Sequence, residues 1–379
     1  MENAPSNDID WLRAALPSSI ESDPFHQRPF FQEQLTLAFQ HALASPLFAA
    51  PRLAQWFRKN RKLGSKDRRR VSDAVYGLIK HEQILRKANR WGPLHWAKAW
   101  IDICAGHRFP NIESTTPAED FSVALSLPKE ITEEWRHKKT PKECLSLAQN
   151  INARAPTYIR AQGVEPPELQ EILRRENIQT QLEPDAPYAL SLLQRANLQA
   201  SAAFRNGLFE IQDLSSQLLC AAMPKEGIIV DLCAGAGGKS LALAAEGAKV
   251  YASDIRAGAL ANLKKRAKRA SLPIQVGLPK HADIVLVDAP CSGSGRLRRE
   301  PTLRWKWQKN HLKHRKDQRL LLQQAASILK NTGTIVYATC SILEAENTPK
   351  IPGWVSVREQ WIWPQKGDGF YWNILKRTQ

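Results

Sequence analysis

The spacing of apolar residues near the N-terminus has the period of an α-helix. Apolar side chains recur three or four residues apart at Phe31, Leu35, Ala38, Phe39 and Ala42. This spacing places them on one helical face, so it predicts a helix over residues 30–47. Similar spacing predicts a second helix around residues 68–79, which follows a basic run that begins at Arg58. It also predicts helical structure over residues 121–150. We therefore expect an all-α domain over residues 1–148.

The middle of the chain alternates short strands with a helix. Residues 155–160 are strand-like, residues 167–176 are typical of a helix, and further short strands follow. We predict a small α+β, RRM-like linker module over residues 149–205.

The last 170 or so residues contain short, continuous apolar runs separated by helical text. These runs lie at residues 228–232, 249–252, 284–287 and 334–337. Buried strands alternating with helices predict a parallel sheet covered on both faces. Residues 355–363 and 370–376 predict two more strands, an antiparallel hairpin at one sheet edge. The fold class is therefore α/β, with a catalytic domain over residues 206–379.

The charge of the chain indicates a polyanionic partner. The 379 residues carry 54 Lys and Arg against 37 Asp and Glu, a net charge of +17. Nucleic acid and an anionic membrane surface both fit this excess. No apolar run approaches the roughly 18 residues that span a bilayer, and the N-terminal residues do not resemble a secretion signal. We expect a cytoplasmic protein that binds no membrane.

The cysteine pattern argues against metal binding. The six cysteines are Cys104, Cys144, Cys220, Cys233, Cys291 and Cys340. They form no CxxC pair and have no zinc spacing. We expect reduced thiols and no metal site.

A glycine-rich turn joins one predicted strand to a helix. The strand that ends in Asp231-Leu232-Cys233 runs into Ala234 to Lys239, and Asp254 ends the next strand. Glycine lets the backbone approach a ligand closely, and an acid about 20 residues further on can bind ribose hydroxyls. The spacing matches neither the dinucleotide nor the triphosphate fingerprint. Adenosine without a polyphosphate fits, with S-adenosyl-L-methionine as the candidate; a tight structural connection is the alternative.

Two cysteines follow strands that should end at the same sheet edge. Asp288 and Cys291 follow one strand, and Cys340 follows another. C5 of cytosine becomes nucleophilic only after addition at C6, and a thiolate is the best protein nucleophile for that addition. A carboxyl group near N3 would support the addition by sharing a proton with the ring. The alternative is that each cysteine only packs at a strand end.

Five segments carry a family resemblance. They are FEIQDLSSQL from Phe209, DLCAGAGGKS from Asp231, DAPCSGSGRLRREPTLRW from Asp288, YATCSILEAEN from Tyr337 and DGFYWNILKR from Asp368. Together they resemble the RsmB/Nop/Sun family of RNA 5-methylcytosine methyltransferases over most of residues 150–379. The helical N-terminal region is more loosely similar to a NusB-like RNA-binding domain. The resemblance implies a class I, Rossmann-like methyltransferase sheet.

The resemblance also implies roles for single residues. Cys340 would be the nucleophile, and Cys291 would assist release of the methylated product. Asp288 would contact the base and the methionine side of the cofactor, while Lys239 could approach the target base. The implied cofactor-binding set is Cys233, Ala234, Gly235, Ala236, Gly237, Gly238, Lys239, Asp254, Arg256 and Asp288. Asp213 is expected to cap the helix that leads into the first strand of the domain.

The chain departs from the family pattern in three places. Many members have alanine and proline where this chain has Gly235-Ala236, so the turn should be looser but keep its backbone contacts. Members usually have an acid after the third strand that touches the adenine, and residues 273–277 (PIQVG) offer none. We expect adenine recognition through backbone or apolar contacts. The span from Asn347 to Trp363 is also abbreviated, so a helix near the sheet edge is expected to be missing.

A basic segment follows the first cysteine motif. Residues 296–319 hold ten Lys and Arg against two acids. Such a segment can neutralise phosphates while an indole stacks on an unpaired base. The predicted RNA-binding residues are Arg296, Arg298, Arg299, Arg304 and Trp305. The alternative for the tryptophans is packing onto their own domain.

We expect a monomer that methylates structured RNA at a looped or flipped-out cytosine. The NusB-like region favours ribosomal RNA over tRNA. An assembly factor with this fold but no catalysis is the competing hypothesis. Methylation of DNA or of another RNA atom is disfavoured by the paired cysteines.

Overall fold

The computed structural model describes residues 28–44, 49–83, 85, 122, 125–307 and 314–378. These residues form two compact units. The first contains the described residues up to Arg154 and the segment that begins at Arg296. The second contains Ala155–Gly295 and the residues from His314 onward.

The helices are α1 (Pro29–Leu43), α2 (Ala49–Lys59), α3 (Ser65–Lys80), α4 (Lys129–Lys138), α5 (Pro141–Asn152), α6 (Pro166–Arg175), α7 (Ala202–Arg205), α8 (Leu214–Ala222), α9 (Gly238–Ala245), α10 (Ala257–Arg269), α11 (Leu303–Lys306), α12 (Arg315–Ile328) and α13 (Glu344–Asn347). The strands are β1 (Tyr158–Ala161), β2 (Thr180–Leu182), β3 (Ala189–Leu192), β4 (Phe209–Ile211), β5 (Ile228–Asp231), β6 (Lys249–Ala252), β7 (Ile274–Val276), β8 (Ala282–Asp288), β9 (Leu329–Thr339), β10 (Trp354–Ile362) and β11 (Phe370–Arg377).

The described part of the first unit is helical, as predicted. The apolar stripe of α1 is buried along its length, from Phe31 to Ala42. It packs against buried side chains of α3, among them Val71 and Val75, because both helices turn one apolar face inward. The predicted end of α1, the beginning of the helix expected at residue 121, and Cys104 lie outside the described residues.

A four-stranded antiparallel sheet begins the second unit. Its strand order is β2-β3-β1-β4, and α6 contributes Leu169 and Leu173 to the core beneath it. The fourth strand, β4, lies beyond residue 205, where we placed the end of the linker module. It pairs with β1 over three residue pairs, so the predicted limit leaves out one strand of the sheet.

The larger sheet has seven strands in the order β10-β11-β9-β8-β5-β6-β7. Strands β5 to β9 are parallel to one another, whereas β11 is antiparallel to β9 and β10 is antiparallel to β11. The predicted parallel sheet and the antiparallel edge hairpin are therefore confirmed. The order reverses between β5 and β8, and open α/β sheets bind ligands at the carboxyl ends of strands beside such a reversal.

The sheet is buried on both faces because successive side chains point to opposite sides. Ile229 and Leu286 belong to one apolar cluster, which includes Leu243 of α9. Val230 and Val285 belong to the cluster on the other face, together with residues of α12. Two covered faces leave the loops at the carboxyl ends of the strands free to form a site.

The link between β9 and β10 is short. It contains α13, a helix of four residues, and then a turn at residues 348–353. Across the residues that the structure describes, no helix has both the length and the apolar character needed to cross a bilayer.

Candidate active site

The glycine turn after β5 has a backbone that only glycine adopts easily. Gly237 has a φ of +87° and directly precedes α9. A Cβ atom there would lie 2.6 Å from Cγ of Leu263, which is too close for real atoms. The left-handed conformation and the close packing together require glycine at this position.

Asp254 lies just past β6, next to the glycine turn. One of its oxygens, Oδ2, accepts from the backbone N–H of Gly235 at 2.8 Å, and the guanidinium of Arg256 donates to both oxygens. The hydrogen bonds from Arg256 hold the pKa of this carboxyl below its ordinary value. Asp254 is therefore an ionised acceptor beside the turn.

Lys239 and Asp288 form an ion pair at the point where the strand order reverses. Nζ of Lys239 lies 2.6 Å from Oδ2 of Asp288. Burial acts to lower the pKa of the Lys239 ammonium, but the neighbouring carboxylate outweighs it and the pKa is raised. The ammonium also lies 5.1 Å from the centre of the Phe370 ring. The pair is thus a fixed charge pair, with Asp288 the more exposed member.

The two motif cysteines meet at the carboxyl ends of β8 and β9. These strands are parallel neighbours, and their register places Asp288 opposite Ala338. Cys291 follows one strand and Cys340 the other, and their Sγ atoms are 3.4 Å apart. Both side chains are half-buried.

The surroundings of Cys291 stabilise its protonated thiol. The contact with Cys340 and burial raise the pKa of Cys291 well above its ordinary value. Cys291 therefore keeps its proton to high pH and can donate an S–H hydrogen bond to the sulfur of Cys340. While Cys291 keeps its proton it is not a nucleophile, because the thiolate is the reactive form of cysteine.

Backbone hydrogen bonds hold the cysteine loops together. The N–H of Gly295 donates to the carbonyl of Cys340 at 2.9 Å, and the N–H of Gly369 donates to the carbonyl of Gly295 at 2.9 Å. A Cβ atom on Gly295 would lie 1.9 Å from the carbonyl oxygen of Gly369. Only glycine permits this approach of three chain segments.

A buried carboxylate that the sequence analysis did not select also joins the loops. Glu346 is 2% exposed and accepts from the backbone N–H of Ser292 at 2.9 Å and from its hydroxyl at 2.5 Å. Gln318 of α12 donates to the carbonyl of Pro290 at 2.9 Å and reaches Glu346 at 3.5 Å. These contacts fix the backbone on both sides of Cys291. The signal in the sequence that could have pointed to Glu346 is the acidic segment just after Cys340.

Asp231 is a second buried acid that the sequence analysis did not select. It is 1% exposed, and its Oδ2 accepts from the hydroxyl of Ser240 at 2.7 Å. Burial raises the pKa of this carboxyl to about 7. Asp213 has the expected capping role, since it accepts from the N–H of Ser215, and it also accepts from the N–H of Asp368.

The residues predicted to bind RNA have different surroundings. Arg296 is exposed, and Arg298 and Arg299 are half-buried. Nε of Arg298 donates to the carbonyl of Arg154 at 3.1 Å. Residues 308–313 of the basic segment lie outside the described residues.

Arg304 and Trp305 lie inside the helical unit. Arg304 donates to the carbonyls of Ser126 and Leu297 at 3.1 Å and to Oδ1 of Asn152 at 2.6 Å. Burial lowers its pKa to about 9. The half-buried indole of Trp305 packs on the core of this unit, and its N–H donates to Glu82. The structure thus places these two side chains among internal contacts, the alternative stated for the tryptophans.

Residues 218–367 match the family described as 16S rRNA methyltransferase RsmB/F. The ribosomal RNA small subunit methyltransferase B of Vibrio vulnificus is 28% identical over an alignment that covers 68% of this chain and 69% of that protein. These matches support the RsmB/Nop/Sun family for the methyltransferase part of the chain. The methyltransferase B of Klebsiella pneumoniae is 30% identical over 62% of this chain and 63% of its own length. The chain thus spans 69% and 63% of the length of these two relatives.

Solved structures support the fold of this chain. The crystal structure of PH0851 aligns with a TM-score of 0.74 at 19% identity, over 92% of this chain and 99% of that one. The structure of NSun6 from Pyrococcus horikoshii, solved with SFG, aligns with a TM-score of 0.58 at 18% identity, over 66% of this chain and 98% of that one. At these identities the likeness concerns the fold alone.

Proposed function

We propose that this protein is an S-adenosyl-L-methionine-dependent RNA (cytosine-5) methyltransferase that acts on ribosomal RNA. The observation that carries the proposal is the pair of sulfur atoms 3.4 Å apart, from Cys291 and Cys340, at the carboxyl ends of adjacent parallel strands. Methylation at a nitrogen or a hydroxyl needs no thiol adduct, whereas methylation at C5 of a pyrimidine does.

The residues of the glycine turn fit the cofactor. The turn from Cys233 to Gly238 offers backbone that a ligand can approach, and Asp254 offers an ionised acceptor suited to a ribose diol. Among the described residues no group of three or more His, Cys, Asp or Glu side chains could hold a metal ion. When bound, S-adenosyl-L-methionine supplies the methyl group for C5 as an electrophilic carbon on a sulfonium sulfur.

Cys340 acts as the nucleophile. Its thiolate forms a bond from Sγ to C6 of the cytosine, which makes C5 nucleophilic. For product release, a base removes the C5 proton, the bond between C6 and Sγ breaks, and the ring double bond re-forms. Cys291 keeps its proton and can donate to the sulfur that leaves C6. We assign product release to Cys291 and attack to Cys340, the roles that the family resemblance implies.

Asp288 positions the base. Its carboxylate can share a proton with N3 of the cytosine and so support addition at C6. Lys239 holds one oxygen of this carboxylate at 2.6 Å and balances its charge. Lys239 thereby fixes the side chain that touches the substrate.

Apolar side chains are available for the adenine. Ile255 is fully exposed beside Asp254, and Val276 and Leu278 are 38% and 44% exposed at the end of the neighbouring strand β7. An adenine ring next to the ribose acid would cover such surface, which favours its burial. These contacts take the place of the acid that the sequence lacks after β7.

The RNA-binding set is revised by the positions of the side chains. Arg296, Arg298 and Arg299 remain the proposed phosphate contacts. Arg304 and Trp305 are reassigned to the support of the helical unit, because their polar groups face internal partners. The target cytosine must lie outside a duplex for its C5 and C6 to be reached.

The test combines three cysteine variants with ribosomal RNA transcripts and a labelled methyl donor. C340A should lose all measurable transfer to cytosine. C291A should accumulate a covalent complex of protein and RNA that survives denaturing gels, because release is impaired. C220A, which removes a buried thiol from the same unit, should behave like wild type.

Two results would contradict the proposal. Normal turnover by C291A with no adduct would remove the role assigned to Cys291. A wild-type protein that binds cofactor and RNA but labels no cytosine would favour an assembly factor. Bisulfite sequencing of RNA from a strain without this protein would separate a ribosomal target from a tRNA target.

A further inference from the structure

The carboxylate proposed to bind the ribose has all of its acceptor sites filled by the protein. An ionised carboxylate has about four lone-pair sites. Oδ1 of Asp254 accepts from the backbone N–H and from Nε of Arg256, each at 2.9 Å. Oδ2 accepts from the N–H of Gly235 at 2.8 Å and from Nη2 of Arg256 at 3.0 Å. A ribose diol needs two of these four sites.

Only two of the four donors can leave easily. The N–H groups of Gly235 and Arg256 belong to the turns that follow β5 and β6, so their positions are set by the backbone. The side chain of Arg256, by contrast, is 68% exposed, whereas that of Asp254 is 5% exposed. Water can therefore hydrate the guanidinium once its hydrogen bonds to Asp254 are broken.

The guanidinium also lies over the cofactor turn. A methyl group at Gly235 would lie 3.5 Å from Nη2 of Arg256. The side chain thus extends from Asp254 across the first glycine of the loop that we propose wraps the cofactor. A ligand that approached both the loop and the acid would meet this group first.

We propose that the side chain of Arg256 is a displaceable occupant of the ribose subsite, and that an adenosine ligand binds only after its diol replaces the guanidinium on Asp254. The inference rests on the proposed cofactor. Arg256, predicted to bind the cofactor, then competes with it. An exposed bidentate ion pair must be broken on every binding event, so the arginine weakens cofactor affinity.

The test is calorimetric binding of S-adenosylhomocysteine, which carries the diol and no net charge. R256A should bind it about 2- to 10-fold more tightly than wild type, the range expected for losing an exposed charge-assisted pair. The difference in affinity between R256A and wild type should become smaller at high salt, because salt screens the ion pair of Arg256 with Asp254, which only wild type has.

A matched control is available on α6. Arg174 is 70% exposed and forms a similar bidentate contact with Glu171, at 2.7 and 3.0 Å. R174A should leave the affinity for S-adenosylhomocysteine unchanged, so a general effect of removing a surface arginine would be visible.

The outcomes separate this inference from the proposed function. If wild type binds the ligand and R256A binds it equally or more weakly, Arg256 supports the subsite and the inference fails while the function stands. If neither wild type nor R256A binds it, the cofactor assignment fails and the inference fails with it.

Discussion

At the scale of single residues, Asp231 has an unusual carboxyl. It ends β5 in the centre of the sheet, and burial raises its pKa to about 7. Its folded pKa lies above the unfolded value, so the folded state binds the proton more tightly. The corresponding stability is fully present below about pH 4 and is lost as the pH rises through about 7.

The variant D231N should remove this pH dependence. Between pH 4 and pH 8, the unfolding free energy of wild type should fall by about 1 to 4 kcal/mol relative to that of D231N, because the buried carboxyl ionises and an amide does not. Chemical denaturation across this pH range measures the difference. The exposed Asp185 offers the control D185N, which should follow wild type. Parallel curves for wild type and D231N would show that Asp231 does not titrate as described.

The residues proposed to carry the chemistry could be selected from the sequence because each lies at or just past the end of a strand. Asp288, Cys291 and Cys340 needed only the expectation that parallel strands end at one edge. Glu346 could not be selected in this way, because its importance depends on where the loop of Ser292 returns in space. The contact of Arg256 with Asp254 depends on a side-chain conformation, which no local pattern encodes.

At the scale of elements, Glu346 links the loop after β8 to the loop after β9 by hydrogen bonds. Its carboxylate accepts both the N–H and the hydroxyl of Ser292, the residue after Cys291. We therefore assign Glu346 as a positioning residue that holds one sulfur against the other.

The variant E346A should reduce kcat about 10- to 100-fold, since a displacement of about 1 Å can cost that much. It should also cost about 1 to 3 kcal/mol of stability, because the N–H of Ser292 loses its buried acceptor. Affinity for S-adenosylhomocysteine should stay within about 2-fold, since the glycine turn is untouched. E346Q keeps an acceptor of the same shape and should restore most of the turnover.

The exposed neighbour Glu344 supplies the control E344A, which should have wild-type kinetics. Steady-state kinetics and denaturation of the four proteins measure these effects. An E346A enzyme with unchanged kcat would contradict the positioning role even if its stability fell.

Element boundaries were harder to predict than element types. The short strand β4 lies inside the segment predicted as the catalytic domain, residues 206–379. The structure pairs it with β1, forty-eight or more residues earlier in the chain. Such pairing depends on residues that are far apart in the chain. A strand of three residues therefore does not reveal from its own sequence which sheet it joins.

At the scale of the whole molecule, the net charge of +17 is a property that many residues share. Binding of a polyanion releases counterions, so affinity for RNA should fall steeply with salt. Only Lys and Arg side chains that reach a phosphate contribute to this slope. Arg296 and Arg304 belong to the same basic segment but differ in exposure. Variants of the two can therefore distinguish contact with RNA phosphates from support of the helical unit.

The variant R296A should reduce the slope of log affinity against log salt by about 0.7 to 0.9, the value for one lost phosphate contact. Its stability should match that of wild type, because the side chain is exposed. R304A should behave oppositely. It should lose about 2 to 4 kcal/mol of stability, because acceptors on Ser126, Leu297 and Asn152 lose a buried donor. Filter binding over a salt series and denaturation measure both variants. An R304A protein with wild-type stability but a reduced salt slope would return Arg304 to the RNA surface.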